Sequence, residues 1–361
     1  MPRRSPVRLR TLAASFSTAA LLLIAASAGA CSAEPSALFA YDVPHDFAGK
    51  NGKAAKDLSG IACEPGEGVR HCLVINDEAT FAQRATIDGQ EFLAGNAVPL
   101  IGDSADGSIL GHEPKVDTCP KGNGGFADLD GEAVAFASGR YYVAGSHGCA
   151  RNTGEFRSSA FILAKVSAAD DAAVVTTFRL AEVLRHAERV SAFFGKDIET
   201  ANGLNIEGIA VQGDELIVGL RGPSIGQEAF LIRTDVAPLF AQGDASAALS
   251  SELIPVAVPE GAGIRDLAPL PDGGLLLLLG PAQSQALPYS IMRVDVPANV
   301  DRNTVLHGTS LAELPKVTQG NKTGKAEAIT VLEATATELE VLVLFDSLKN
   351  GAPRKYRISL P

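Results

Sequence analysis

The sequence predicts an all-β fold, a β-propeller of five blades with about four strands each. Three observations predict it. A six-residue motif recurs five times along the chain. Each copy is followed, across a turn-rich gap, by two apolar runs of strand length. The last unit has no sequence left for a fourth strand, whereas a strand-like segment stands unassigned near the N-terminus. Short strands in units of three or four at recurring spacing are the signature of radial β repetition.

The motif copies are D-L-S-G-I-A (57–62), D-L-D-G-E-A (128–133), N-I-E-G-I-A (205–210), G-I-R-D-L-A (263–268) and K-A-E-A-I-T (325–330). Aligned in this way, their third positions are Ser59, Asp130, Glu207, Arg265 and Glu327, spaced by 71, 77, 58 and 62 residues. The motif marks the inner strand of each blade, where neighbours crowd around the axis and small residues such as Gly and Ala are needed. The second strands are read at 72–75, 141–144, 216–220, 275–279 and 339–345. The third strands follow at 81–87, 160–166, 229–236, 289–296 and 355–360, and fourth strands at 91–101, 174–180, 252–258 and 305–311. Residues 37–43 supply the fourth strand of the last blade, which removes the open edges of a linear array. Residues 180–194 break the pattern with apolar residues at helical spacing and are read as an inserted helix. The long gaps leave room for a sixth or seventh blade.

The first thirty residues are read as a leader. Arg3, Arg4, Arg8 and Arg10 precede an apolar stretch from Leu12 to Ala26, and Ala28-Gly29-Ala30 is a small-residue cleavage pattern. An Arg pair also opens twin-Arg signals, but no apolar pair follows Arg3-Arg4 directly. Ala28-Gly-Ala-Cys31 resembles the bacterial lipoprotein signal, with Ala28 where Leu is most common, and this implies a lipid on Cys31. The expected division is a signal peptide (1–30), a short tether (31–36) and one propeller domain (37–361). Setting Cys31 aside leaves Cys63, Cys72, Cys119 and Cys149, an even number that fits disulfides in an oxidising compartment. The pairing Cys63–Cys72 with Cys119–Cys149 is favoured among three. The expected location is the bacterial cell envelope, periplasm or outer membrane, with membrane contact only through the lipid. After the leader no apolar run is longer than that of Leu275–Leu279, which is far too short to cross a bilayer.

Composition narrows the function classes. The chain has 361 residues and is 46% hydrophobic, enough for a full core. Without residues 1–30 it carries 27 basic and 42 acidic residues, a net of −15, which argues against a nucleic-acid partner. With 6% aromatics, no stacking platform stands out.

The segments N-I-E-G-I-A (205–210), L-R-G-P (220–223), G-I-R-D-L-A (263–268), D-L-S-G-I-A (57–62) and G-S-H (145–147) resemble domain-of-unknown-function family 3616, bacterial proteins with propeller-like repeats. The resemblance spans about residues 40–347. It implies a propeller and no catalytic residues. The motif is also similar, more faintly, to the esterase-like propellers associated with phytase, a likeness at the level of fold.

Ligand sites of such folds lie at a mouth of the central channel. Two columns are expected to meet there: Ser59, Asp130, Glu207, Arg265 and Glu327 from the motifs, and Asp77 or Glu78, His147, Arg221, Pro281 and Asp346 from the ends of the second strands. In one reading Arg221 and Arg265, with Ser59 and Asp346, hold a small anionic ligand or an envelope protein partner. In the other, Asp130, Glu207 and Glu327 hold Ca²⁺ or another divalent ion and His147 is the base of a phosphoesterase or esterase-like hydrolase. An internal ion-pair network fastening the blades is the structural alternative. G-P-S-I-G (222–226) matches the nucleophile-elbow pattern, but a strand rather than a helix is expected after it.

Overall fold

The computed structural model describes residues 1–2, 35–151, 153–302 and 304–361. The leader, the lipidation signal and Cys31 lie outside the described residues. From Pro35 onward the chain falls in one compact unit whose main sheets are five, antiparallel but for one short parallel pair, arranged as a five-bladed propeller.

The inner strands are Leu58–Cys63, Gly131–Ala137, Asn205–Gln212, Ala262–Pro269 and Lys325–Ala334, and each copy of the motif lies on one of them or at its start. The second strands are Arg70–Asn76, Arg140–Gly145, Glu215–Ile225, Leu275–Pro281 and Glu338–Asp346. They are the most apolar because both faces are covered; all of Leu275–Leu279 is buried. The third strands are Phe81–Asp88, Leu163–Ser167, Glu228–Asp235, Ser290–Val294 and Arg354–Ser359. Glu91–Pro99, Val174–Thr177, Glu252–Ala257 and Thr309–Glu313 complete the first four blades.

The fifth blade is closed by the N-terminal strand Ser36–Ala40, which pairs antiparallel with Arg354–Arg357. The end of the chain and its described beginning thus share one sheet, as the repeat arithmetic required. One strand goes elsewhere than expected. Residues 305–311 divide: Leu306–His307 pairs in parallel with Val256–Ala257 of the third blade, and only Thr309–Glu313 joins the fourth.

Five apolar cores lie one between each pair of adjacent blades. The interface of the fifth blade with the first, for example, joins Leu342 and Leu344 to Leu58 and Ile61. Burial of these faces is the main favourable term holding the ring together. The inner strands approach closely: a Cβ on Gly60 would stand 2.9 Å from the Val134 amide nitrogen, and one on Gly208 2.8 Å from the Asp266 carbonyl carbon. Residues 180–194 contain a helix, Arg179–His186, that is shorter than expected. The chain then turns, with Arg189 at φ 66°, into the 3-10 turn Ser191–Phe193. Both expected disulfides are formed. Cys63–Cys72 crosses the first hairpin, and Cys119–Cys149 ties the long connection before the second blade to the exit of that blade's second strand. Among the described residues no helix is long and apolar enough to cross a membrane.

Candidate functional site

Every inner strand carries a β-bulge in the same place. The register slips between Leu58 and Gly60, Gly131 and Ala133, Ile206 and Gly208, Ile264 and Asp266, and Ala326 and Ala328. The bulged residues are Ser59, Glu132, Glu207, Arg265 and Glu327, all buried. A bulge re-aims a side chain out of the regular ladder, and here it does so once per blade. The expected column is therefore corrected at one position. Glu132, not Asp130, is the second blade's member. The signal was in the sequence: the residue after the bulge is Gly60, Ala133, Gly208 or Ala328 in four blades, so D-L-D-G-E-A aligns on Glu132-Ala133. In the fourth blade that place is taken by Asp266. Its buried carboxylate accepts hydrogen bonds from the Leu267 and Ile329 amides, at 2.8 and 2.7 Å, linking the fourth blade to the fifth.

The bulge column forms an ion-pair chain. Arg221 Nη1 donates to Glu207 Oε1 at 2.8 Å, Arg265 Nε lies 2.8 Å from Glu207 Oε2, and Arg265 Nη2 donates to Glu327 Oε1. Arg221 also donates to the Ala282 carbonyl at 2.8 Å and lies 3.6 Å from Glu199. Both arginines expected to clamp an anion are thus paired within the protein. Burial pushes the Glu327 carboxyl up to about 7 against the pull of Arg265, and burial together with Glu207 pushes Glu132 well above the usual carboxylate range. Among the described residues no group of three or more His, Cys, Asp or Glu side chains is placed to hold a metal ion. Asp130, Glu207 and Glu327 are accordingly not gathered into a coordination set. Among the described residues Ser59 Oγ reaches the Asp57 carbonyl alone, at 3.4 Å.

At the end where the inner strands begin, the channel opens into a cleft of about 400 Å³ lined by six carboxylates (Asp57, Asp77, Glu78, Asp128, Asp130, Asp346) and four cations (Lys50, Arg151, Arg157, Lys325). Three of the cations are paired, Lys50 with Glu78 at 3.1 Å, Arg157 with Asp128 at 2.9 Å and Lys325 with Asp346 at 2.8 Å. Arg151 makes no ion pair among the described residues; it senses Glu207, Glu132 and Glu327 at longer range. Asp57 and Asp346 line the cleft on the two sides of the junction of the first and fifth blades, near enough for a proton on one to be felt by the other. Burial and the neighbouring Asp346 push Asp57 up to about 6, whereas Asp346, despite burial, is held below the usual range by Lys325 and by Asp57. Asp77 is pushed up to about 9 by burial and by the surrounding carboxylates Asp130, Asp57 and Asp346, and its buried Oδ1 has no hydrogen-bond partner. Asp130 accepts a hydrogen bond from Ser146 Oγ, and burial raises its carboxyl.

His147 is elsewhere. It is fully buried, does not line the cleft, and packs beside Phe161 with ring centroids 5.6 Å apart. Its Nδ1 is 2.9 Å from the Gly145 carbonyl, and burial holds the imidazole down to about 4. A neutral, enclosed ring of this kind does not meet solvent-borne substrate at the cleft. Pro281 ends the fourth blade's second strand and brings no functional group. Gly222–Pro223 is a cis peptide within strand Glu215–Ile225, which returns as strand Glu228–Asp235, so 222–226 is not a strand-to-helix elbow. The residues that the motifs did not single out are Asp57, Glu132, Arg151, Asp266 and Lys325.

A family model described as "Protein of unknown function (DUF3616)" matches residues 163–357, and the chain belongs to that family. No curated protein matches. Solved structures similar to this chain include an α-L-arabinofuranosidase from Podospora anserina in complex with cellotriose, at 10% identity, covering 90% of this chain and 98% of that one with a TM-score of 0.42. A glycosyl hydrolase from Bacteroides ovatus is similar at 11% identity, covering 90% and 92% with a TM-score of 0.41. A putative glycoside hydrolase from Parabacteroides distasonis is similar at 10% identity, covering 92% and 95% with a TM-score of 0.40.

Proposed function

We propose that this member of the DUF3616 family is an exported hydrolase that works by general acid–base catalysis at the carboxylate mouth of its channel. The observation that carries the reading is that Asp57 and Asp346 line one cleft and that Asp346, of the two, is held by an ammonium, Lys325 Nζ at 2.8 Å, which keeps it the readier to ionise while burial favours the proton on Asp57. Divergent pairs of this kind are how one site keeps an acid and a base together. In the reaction, Asp346 takes a proton from water as its oxygen attacks the substrate, and Asp57 gives its proton to the departing oxygen. One water is consumed, one C–O or P–O bond is cleaved, and a proton passing across the pair restores both groups. The cleft has the size of a small-molecule site. The two disulfides and the leader-like residues 1–30 support export, with a lipid on Cys31 as the anchor.

A second reading is favoured by Arg151. Its guanidinium stands at the cleft without an ion-pair partner among the described residues, whereas Arg221 and Arg265 are committed to Glu207 and Glu327. A binder of a small anionic ligand would use Arg151 in the place those two were expected to fill.

The test is turnover of para-nitrophenyl acetate, phosphate and a set of glycosides by the exported full chain between pH 4 and 8, beside the Asp346→Asn and Asp57→Asn variants. The hydrolase reading expects one substrate class to be cleaved and both variants to lose most of that activity while remaining folded. Activity equal in wild type and variants would overturn the acid–base assignment. No turnover, with binding of a small carboxylate or phosphate lost in Arg151→Gln, would establish the second reading instead.

A further inference from the structure

The other end of the channel is chemically opposite. Where the inner strands finish, a funnel of about 480 Å³ is lined chiefly by apolar side chains, among them Ile61, Val134, Phe136, Leu270, Val331 and Leu332. Val69 stands on the same face, in the turn leading into strand Arg70–Asn76. Among the described residues from Pro35 onward it is the large hydrophobic residue left exposed, at 50%.

The chain also enters on this face. Strand Lys325–Ala334 runs away from the carboxylate mouth, Glu338–Asp346 returns to it, and Arg354–Ser359 runs away again, with Ser359 opposite Glu338. Ser36 pairs with Arg357 and Ala40 with Arg354, so the first strand starts towards the funnel side and runs towards the carboxylate side. Cys31 precedes Ser36 by five residues. Five residues span at most about 18 Å when fully extended. A lipid on Cys31 is therefore tied by a short leash to the side of the propeller that carries the apolar funnel and Val69.

We propose that this face rests on the lipid bilayer, which covers the funnel mouth and Val69, and that the carboxylate cleft faces away from the membrane. The inference rests on the lipidated-Cys31 part of the preceding reading and is independent of whether the cleft is catalytic. Apolar surface entering the boundary between headgroups and acyl chains is stabilised by removal from water. A tether that short makes this orientation the one sampled most.

The chain contains no Trp, so a single introduced Trp reports its own surroundings. The full chain, processed in a bacterial host, is reconstituted into phosphatidylethanolamine/phosphatidylglycerol vesicles with brominated acyl chains. Val69→Trp and, as a second site on the same face, Ala336→Trp are compared with Thr153→Trp beside the carboxylate cleft. The expected result is a blue shift and a loss of ~two-fold or more in intensity for the first two, as for side chains 5–10 Å into the interface, and none for Thr153→Trp. Quenching at position 153, or equal emission at all three sites, would overturn the orientation while leaving the anchor intact. A protein that does not remain with the vesicles would overturn the anchor and the orientation together. Activity of the soluble Cys31→Ser chain is read separately, so neither failure bears on the acid–base assignment.

Discussion

Glu207 of the third blade and Arg265 of the fourth form a buried ion pair, Oε2 to Nε 2.8 Å, with each side chain almost wholly removed from water. Glu207 also receives Arg221, and Arg265 also reaches Glu327 of the fifth blade. A chain of charges thereby runs through three blades, beside the apolar cores that lie between them. Removing one partner leaves an uncompensated charge in a dry place, at a cost of about 3–5 kcal/mol. Glu207→Gln is expected to lower unfolding stability by roughly that amount in urea titration. Ligand binding and turnover at the carboxylate cleft should be unchanged in the folded fraction. Loss of binding with no loss of stability would mean that Glu207 serves the site rather than the frame.

The inner strands meet so closely that one methyl group is felt. The Cβ of a Gly208→Ala variant would stand 2.8 Å from the Asp266 carbonyl carbon, and that of Gly60→Ala 2.9 Å from the Val134 nitrogen. Both neighbours are backbone atoms and cannot swing aside. Each substitution is expected to cost about 1–3 kcal/mol, measured by chemical denaturation. An exposed control, Ala336→Ser, should stay within about 0.5 kcal/mol.

Much of this frame was legible in the sequence because a propeller repeats one physical problem five times. Gly60, Gly208 and Ala328 are small for the same reason, and Leu275–Leu279 reads as a strand covered on both faces. Closure by Ser36–Ala40 followed from the missing fourth strand after Arg354–Ser359. The site was less legible. The motif was aligned on the acidic residue Asp130 rather than on the small residue that follows the bulge, so Glu132 was missed. Arg221 and Arg265 read as ligand clamps because their partners are Glu207 and Glu327, and only the fold brings those side chains together. Asp57 looked like the first letter of a motif. Its role depends on Asp346, 289 positions away in the sequence and adjacent only once the ring is closed.

The Cys119–Cys149 bridge spans 30 residues and Cys63–Cys72 spans 9. Constraint of the unfolded chain grows with loop length, giving about 3.6 kcal/mol for the longer and about 2.6 kcal/mol for the shorter. Replacing Cys119 and Cys149 by Ser should therefore lower the melting temperature more than replacing Cys63 and Cys72. It should also disturb the cleft, because Arg151 lies two residues beyond Cys149. Equal effects on stability would show that the short bridge contributes by more than chain entropy.

Asp77 is pushed up to about 9 by burial and by neighbouring carboxylates. Its ordinary unfolded value is near 4. Between those limits the folded chain binds the extra proton, so this residue's contribution to stability falls as pH rises from about 4 to about 9. Asp77→Asn is isosteric with the protonated form and removes that slope. The variant should match wild type near pH 4 and exceed it at pH 8 by up to about 5 kcal/mol, at about 1.4 kcal/mol per pH unit. Parallel melts at the two pH values test this. A variant no more stable than wild type at pH 8 would show that Asp77 is ionised in the folded protein.

In the proposed reaction Asp57 and Asp346 set the pH range in which the cleft works. Asp57 must hold its proton to serve as the acid, and its carboxyl is pushed up to about 6. Asp346 must be ionised to serve as the base, and it lies below the usual carboxylate range. The productive state, one proton on the pair, is therefore filled at acidic pH and drains as pH passes about 6. Turnover should follow a bell on the acid side of neutrality, with the falling limb belonging to Asp57 and the rising limb to Asp346. Because the two groups are coupled, the limbs report the pair rather than either residue alone. Lys325→Met tests the assignment without replacing either member of the pair. Loss of the 2.8 Å ammonium contact should raise the Asp346 carboxyl and move the rising limb towards higher pH, narrowing the bell. A profile that keeps its rising limb in Lys325→Met would assign the base to another carboxylate of the cleft, with Asp130 the next to examine.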